Sequence, residues 1–404
     1  MTSLLDKFSK LGVANAPGQE SRQKIDDMDL RGENIAGTPV DFSHGDIDAH
    51  PPIPGSFEKF AEGFQVGGVQ AYTEYRGKQD IREELAEKLS VFSGAPIDAE
   101  TELILAPGTQ GALFLAAGAN IGRGDKVAII EPDYFANRKM VEFFDGELVP
   151  IPMDYFGVQS GSGIDLERLE ESFKSGVKLF LFSNPNNPTG AVYSRAEIVS
   201  IATLAERYNV DVIVDQLYSR QIFSDCEFTH LRSVPELNPE NLLTIIGPSK
   251  TESLSGFRLG VGFGSSRMID RMEKLQAIVS LRAAGYCQAV LRQWFSEPAG
   301  WMEQRVADHE AIRNDIHGVF SNADGFKLRL GEGGSYLFPK MPKLAISLAD
   351  FTKALRLQAD VIVTPGTEFG PEFGDSFRIN FSQDHQAAVE AIHRTIEIVN
   401  RYRV

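Results

Sequence analysis

KLFLFSNPNNPTG, residues 178–190, decides how the rest of the chain is read. It joins a short apolar run, Leu179 to Phe182, to a turn made of Asn, Pro, Thr and Gly. An uninterrupted apolar run of that length suits a strand buried on both faces. Asn184-Pro185-Asn186-Asn187-Pro188-Thr189-Gly190 is a tight turn by composition, because these residues supply the dihedral angles and local hydrogen bonds that turns need. The same run-then-turn form recurs on both sides: LILA at 103–106, KVAII at 126–130, ELVPIP at 147–152, DVIVD at 211–215, LLTII at 242–246 and RLGVGFG at 258–264. Helical stretches fill most of the gaps. In the one that starts near Asp80, Ile81, Leu85, Leu89 and Phe92 share a face opposite the charges. The alternation predicts an α/β fold with a mainly parallel sheet covered by helices on both faces. Such sheets bind ligands at the carboxyl ends of their strands, so the chemistry is expected in the turns that follow these runs.

Beyond residue 265 the spacing predicts long helices over 267–280, 285–297 and 300–322. A second alternation follows, with FKLRL at 326–330, SYLF at 335–338, a helix from Leu348, VIV at 361–363, FRINF at 377–381 and a last helix from Gln386. This reads as a smaller α+β unit. The first 60 residues are polar and punctuated by Gly and Pro, as in GDIDAHPPIPG at 45–55, and read as an arm. The expected division is a large domain over 61–295 and a small domain in which residues 1–60 pack with 296–404.

The chain has 404 residues and a formal net charge of -16. That charge argues against a nucleic-acid surface, which needs many cationic contacts, and any anionic ligand must be held by a few placed cations. Two cysteines, Cys226 and Cys287, cannot form a disulfide framework and read as ordinary thiols in a reducing compartment. MTSLLDKFSKLGV lacks the apolar core of a signal peptide, and no stretch approaches the length of a membrane helix. The reading is cytoplasmic, with neither nucleic acid nor membrane as a partner and no metal site.

Each turn carries a residue with chemical possibilities. Asn187 is fixed at the end of a strand, where its amide can hydrogen-bond a ligand oxygen. Asp215 ends the buried run DVIVD, and a carboxylate there requires a cationic partner or a ligand proton. LLTII leads into Gly247-Pro248-Ser249-Lys250, and a strand-end lysine can supply an amine nucleophile toward an aldehyde. Ala106-Pro107-Gly108-Thr109-Gln110-Gly111 lies between a strand and a helix, where backbone N–H groups suit a phosphate.

Together these residues resemble the fold type I pyridoxal-phosphate enzymes, specifically the class I/II aminotransferase family (aspartate aminotransferase-like). NPNNPTG, the Asp215-x-x-Tyr218 step and Ser249-Lys250 followed by GFRLG at 256–260 carry the resemblance. GDID from Gly45, Tyr72 with Gly77 and Ile81-Arg82, PGTEFG at 365–370 and FRINFS at 377–382 extend it over nearly the whole chain.

The resemblance implies the pyridoxal-phosphate transferase fold, pyridoxal 5'-phosphate as cofactor and a role for each matching position. Lys250 would bind the pyridoxal aldehyde and then shuttle the substrate proton, Asp215 would pair with the pyridine nitrogen, and Asn187 and Tyr218 would hydrogen-bond the ring's 3' oxygen. Tyr134, ahead of Phe135, would stack on the ring. Gly108, Thr109, Gln110, Ser249, Arg258 and a partner subunit's copy of Tyr72 would hold the phosphate. Arg378, with Gly45 beside it, would clamp the substrate α-carboxylate, and Arg282 would meet an acidic side chain across a homodimer interface. One position departs from the family: many members have Ser where this chain has Gly247. The implied reaction moves an amino group from an α-amino acid to a 2-oxo acid. The alternative is a lyase, decarboxylase or oxidase of amino acids on the same fold. A regulator would need a DNA-binding module that the short acidic arm has no room for, and a dinucleotide-binding enzyme would need a G-x-G-x-x-G that is missing after the first strand.

Overall fold

The computed structural model describes residues 7–8, 11 and 30–404. Most of the first half of the expected arm lies outside these residues. The central sheet has seven strands: β2 (Leu103–Pro107), β3 (Lys126–Glu131), β4 (Glu147–Pro152), β5 (Leu179–Ser183), β6 (Asp211–Asp215), β7 (Leu242–Ile246) and β8 (Leu259–Gly264). Their order is β2-β8-β7-β6-β5-β3-β4, with only β8 antiparallel to its neighbours. Every residue of β5 is buried. Phe180 and Phe182 point into one apolar layer with Tyr193 and Ile198, whereas Leu179 and Leu181 point into the opposite layer with Leu113 and Met140. This two-sided burial is why the strand reads as an unbroken apolar run. The edge strand β4 holds Pro150 and Pro152, and an edge is where a residue without an N–H is tolerated.

The second unit is built around β9 (Tyr336–Leu337), β11 (Thr364–Pro365) and β12 (Phe377–Asn380), which form an antiparallel sheet in the order β11-β12-β9. From the arm, β1 (Val40–Asp41) pairs in parallel with β10 (Val361–Ile362). Val40 and Phe42 share a core with Ile316, Phe351 and Ile392. Further along, Ile53 joins a different core with Leu85, Leu254 and Trp294 beside the β2–β8 edge of the large sheet.

Two expected elements are not continuous. In place of one helix over 285–297 there is a short helix, Gly285–Gln288, a 3-10 turn, Ala289–Arg292, and then irregular chain. Lys88 Nζ donates to the carbonyls of Arg292 and Trp294, at 3.0 and 3.1 Å, and these are carbonyls that a continuing helix would use itself. The segment FKLRL makes only an isolated bridge from Lys327 to Lys340. Its path turns away because Arg329 donates to the carbonyls of Tyr155 and Gly161, and Glu332 and Gly333 donate their N–H groups to Gly190 O.

Candidate active site

The turns after β2, β3, β5, β6 and β7 and strands of the second unit line one cavity of about 240 Å³. Its walls include Thr109, Gln110, Tyr134, Phe135, Asn187, Asp215, Tyr218, Ser249, Lys250, Arg258 and Arg378, all but Phe135 singled out above. Gly45 and Lys250 line an adjoining space of about 130 Å³ with Asn380 and Ser382. There the arm crosses close to the second unit, since Asp46 N donates to Ser382 O at 2.7 Å.

One end of the cavity is an anion cradle. The helix Gly108–Asn120 starts here, so the N–H groups of its first turn have no intrahelical acceptor. Gly108 has φ +81°, and a β-carbon on it would lie 2.3 Å from Arg258 Nη2, so only glycine lets the guanidinium approach this closely. Ser249 Oγ donates to Leu259 O at 3.4 Å. Thr109 Oγ1 is buried with no hydrogen-bond partner among the described residues, an orphan that a ligand oxygen would satisfy. Its position also accounts for the departure at Gly247, where a β-carbon would lie 2.5 Å from Thr109 Oγ1.

The middle of the cavity holds the buried carboxylate. Asp215 Oδ1 accepts the N–H of Leu217 at 3.0 Å, and among the described residues no cation enters its balance. Burial therefore pushes its pKa up to about 6. A cationic ring nitrogen placed there would reverse that shift. Tyr134 Oη donates to Gln110 Oε1 at 2.8 Å, which ties the aromatic wall to the anion cradle. Burial raises the Tyr134 phenol above the ordinary range. Lys250, half-buried, lines both spaces.

At the far end Arg378 is 2% exposed. Its Nη1 donates to Asn187 Oδ1 at 3.2 Å and its Nη2 to Ser43 O at 2.8 Å, whereas its Nε is buried without a partner. Such a guanidinium is held in place with donor capacity to spare, the condition for bidentate recognition of a carboxylate.

Tyr72 and Arg282 do not enter the cavity of their own chain. Tyr72 is 81% exposed, and the Arg282 guanidinium lies 5.6 Å from the ring centres of both Tyr72 and Tyr75. They belong to an outer face where the Phe64 ring meets Tyr286 and Gln70 Nε2 donates to Gly285 O. Phe57, Val69, Ile278 and Leu281 are exposed in the same segments.

Three functional residues escaped the sequence reading. Tyr336 lines the cavity and Ser43 supplies a carbonyl to Arg378. Asp133 lies beneath the wall and accepts from Ser183 Oγ, from Ser183 N at 3.0 Å and from Tyr134 N at 2.6 Å. Burial pushes the Asp133 carboxyl up to about 7 against these bonds. Ser183 Oγ in turn accepts from Asn187 N at 3.1 Å, so one carboxyl braces two walls of the cavity. A carboxylate three residues past an apolar run, in EPDYF at 131–135, was its visible signal. Among the described residues no cluster of His, Cys, Asp or Glu could hold a metal ion, and no helix is long and apolar enough to cross a membrane. Cys226 and Cys287 are free and half-buried.

The chain is 58% identical to an aspartate aminotransferase from Rhodobacter sphaeroides 2.4.1, with a TM-score of 0.94 over 100% of both chains. It is 28% identical to an aspartate aminotransferase from Pyrococcus horikoshii over 81% of this chain and 82% of that one. An aromatic aminotransferase from Pyrococcus horikoshii OT3, 23% identical, shares the fold with a TM-score of 0.82 over 90% and 96% of the two chains. The model of the family "Aminotransferase class I and II" matches residues 40–394, so the chain belongs to that family.

Proposed function

We propose that the protein is a pyridoxal 5'-phosphate-dependent aminotransferase that moves an amino group from an α-amino acid to a 2-oxo acid. The observation that carries this reading is Asp215, a buried carboxylate without a cation of its own, in one cavity with Lys250, between the anion cradle at Gly108 and Arg378. The cradle of Gly108, Thr109, Gln110, Ser249 and Arg258 would hold the phosphate, Asp215 the pyridine nitrogen, Asn187 and Tyr218 the ring oxygen, and Tyr134 the ring face. When bound, the cofactor supplies an electron sink for the pair left at the substrate Cα. Lys250 Nζ would take the substrate Cα proton as base and then give a proton back as acid. Arg378 clamps the α-carboxylate and Gly45 lets the arm's backbone come near it.

Tyr72 and Arg282 complete the site of a second copy, which makes the working unit a homodimer. The 58% identical relative's name, together with Arg282, supports a dicarboxylic substrate. The chain divides into a large domain, 61–295, and a small one formed by 296–404 and the arm, and it acts in the cytoplasm.

The test is the half-reaction. Adding an amino acid alone converts the bound cofactor stoichiometrically to its amine form with release of the 2-oxo acid. Ammonia, carbon dioxide or peroxide without that conversion assigns the protein to the lyases, decarboxylases or oxidases instead. Lys250→Ala abolishes both the visible absorbance of the purified protein and turnover.

A further inference from the structure

Strand β9 brings into the cavity a residue that the reading above leaves without a role. Tyr336 is 4% exposed, and its hydroxyl lies 2.7 Å from that of Tyr218, the two rings meeting edge to face at 5.1 Å. The Arg378 guanidinium sits over the Tyr336 ring, 4.4 Å from its centre, which is the geometry of a cation–π contact. The pairing of Asn380 with Tyr336 sets it beside the strand that carries Arg378. The corner before it is shaped to Tyr218: Gly334 has φ +73°, and a β-carbon there would lie 3.2 Å from Tyr218 Cγ.

We propose that Tyr336 is a positioning residue for Tyr218, and that it links Tyr218 to the carboxylate clamp through its contact with Arg378. The inference rests on the aminotransferase reading of the site. A bond of 2.7 Å between the two hydroxyls fixes where the Tyr218 oxygen stands and how it faces the cavity.

The charges around the pair tie it to the carboxylate clamp. Tyr336 faces Arg378 from β12, Lys250 from the turn after β7 and Asp215 from the end of β6, whereas Tyr218 also faces Tyr134. Burial opposes ionisation of Tyr336, but Arg378, Lys250 and the bond from Tyr218 outweigh it and lower its pKa. Burial and the neighbouring Tyr336 charge raise that of Tyr218. A carboxylate on Arg378 cancels the largest of the charges that lower the Tyr336 pKa, so the docking of substrate is felt in the bond between Tyr336 and Tyr218.

The experiment follows the pH midpoint of the visible cofactor band in the holoenzyme, with and without saturating succinate, a carboxylate that lacks an amino group. In the unaltered protein succinate moves the midpoint. In Tyr336→Phe, which keeps the ring beneath Arg378, that displacement shrinks by at least about 0.5 pH unit. The succinate Kd and substrate KM stay within about twofold while kcat falls roughly tenfold. An unchanged succinate displacement in a folded Tyr336→Phe overturns the inference. If that variant does not fold, an unchanged succinate displacement in Tyr218→Phe, which removes the bond from its other end, overturns the inference. A protein without any visible band refutes the aminotransferase reading itself, a result distinct from either of these.

Discussion

The cavity and the outer face around Arg282 differ in how far one chain completes them. In the cavity Arg378 is fixed by Asn187 and Ser43, Tyr134 by Gln110 and Asp133, and Asn187 by Ser183. On the outer face Arg282 rests on two tyrosine rings, and one of these, Tyr72, is 81% exposed. A side chain locked by neighbours on every side is ready to act where it stands, because little conformational freedom remains to be lost on binding. An arginine and a tyrosine poised on an apolar surface are ready for something that another molecule must bring. The contrast teaches where a single chain leaves its side chains unbraced: the cavity residues are held from within, and Tyr72 and Arg282 are not.

The severest way to break the cavity side of this contrast is Asp215→Asn, which keeps the shape and removes the charge. Turnover should fall on the order of 10³-fold, as for loss of a placed charge in a dry site. The same change should stabilise the cofactor-free protein. Burial raises the Asp215 pKa from 3.8 to about 6, so the folded state binds more protons than the unfolded one between those values, and its stability falls as pH rises through that window. At pH 8 the ionised carboxylate costs about 3 kcal/mol, and the variant should melt higher there by a margin that vanishes below about pH 4. Melting curves of the cofactor-free proteins at pH 4 and pH 8 check the sign. Next in size is Arg378→Lys, which keeps the charge and loses the fork. KM for the amino acid should rise roughly 10- to 100-fold with a smaller change in kcat, measured by steady-state kinetics.

The outer face is tested by Arg282→Ala, which should lower the ratio of dicarboxylic to neutral amino-acid turnover about tenfold. An unchanged ratio removes Arg282 from substrate recognition. The sharper version mixes Lys250→Ala and Arg282→Ala copies. If Arg282 serves the neighbouring site, each hybrid dimer regains one intact site, and roughly a quarter of the dicarboxylic activity should return. If Arg282 serves its own site, none should.

The strands were legible because a strand buried on both faces must be apolar throughout, so LFLF, DVIV and LLTII announce themselves without any neighbour being known. The strand-end residues of the cavity were legible for the same reason, since a polar group directly after such a run has few other places to be. Tyr336 was not. SYLF shows a strand, but that it meets Tyr218 depends on how β9 and β12 approach the large sheet, a distance of 118 residues along the chain. Ser43 acts through its carbonyl, which every residue has. The helix over 285–297 failed because Lys88, two hundred residues earlier, claims its carbonyls. Long-range contacts of this kind leave no periodicity behind.

Thr109 and Gly247 carry a consequence for the routes by which this sequence can change. Their side-chain positions share one volume, with 2.5 Å between Thr109 Oγ1 and a β-carbon at 247. A serine at 247 would thus force the Thr109 side chain to turn away, and its β-carbon would still sit 3.2 Å from Leu259 O and 3.3 Å from Gly260 Cα. The cost of a side chain at 247 therefore depends on what stands at 109, and the hydroxyl facing the anion cradle cannot be moved between the two positions as if they were independent.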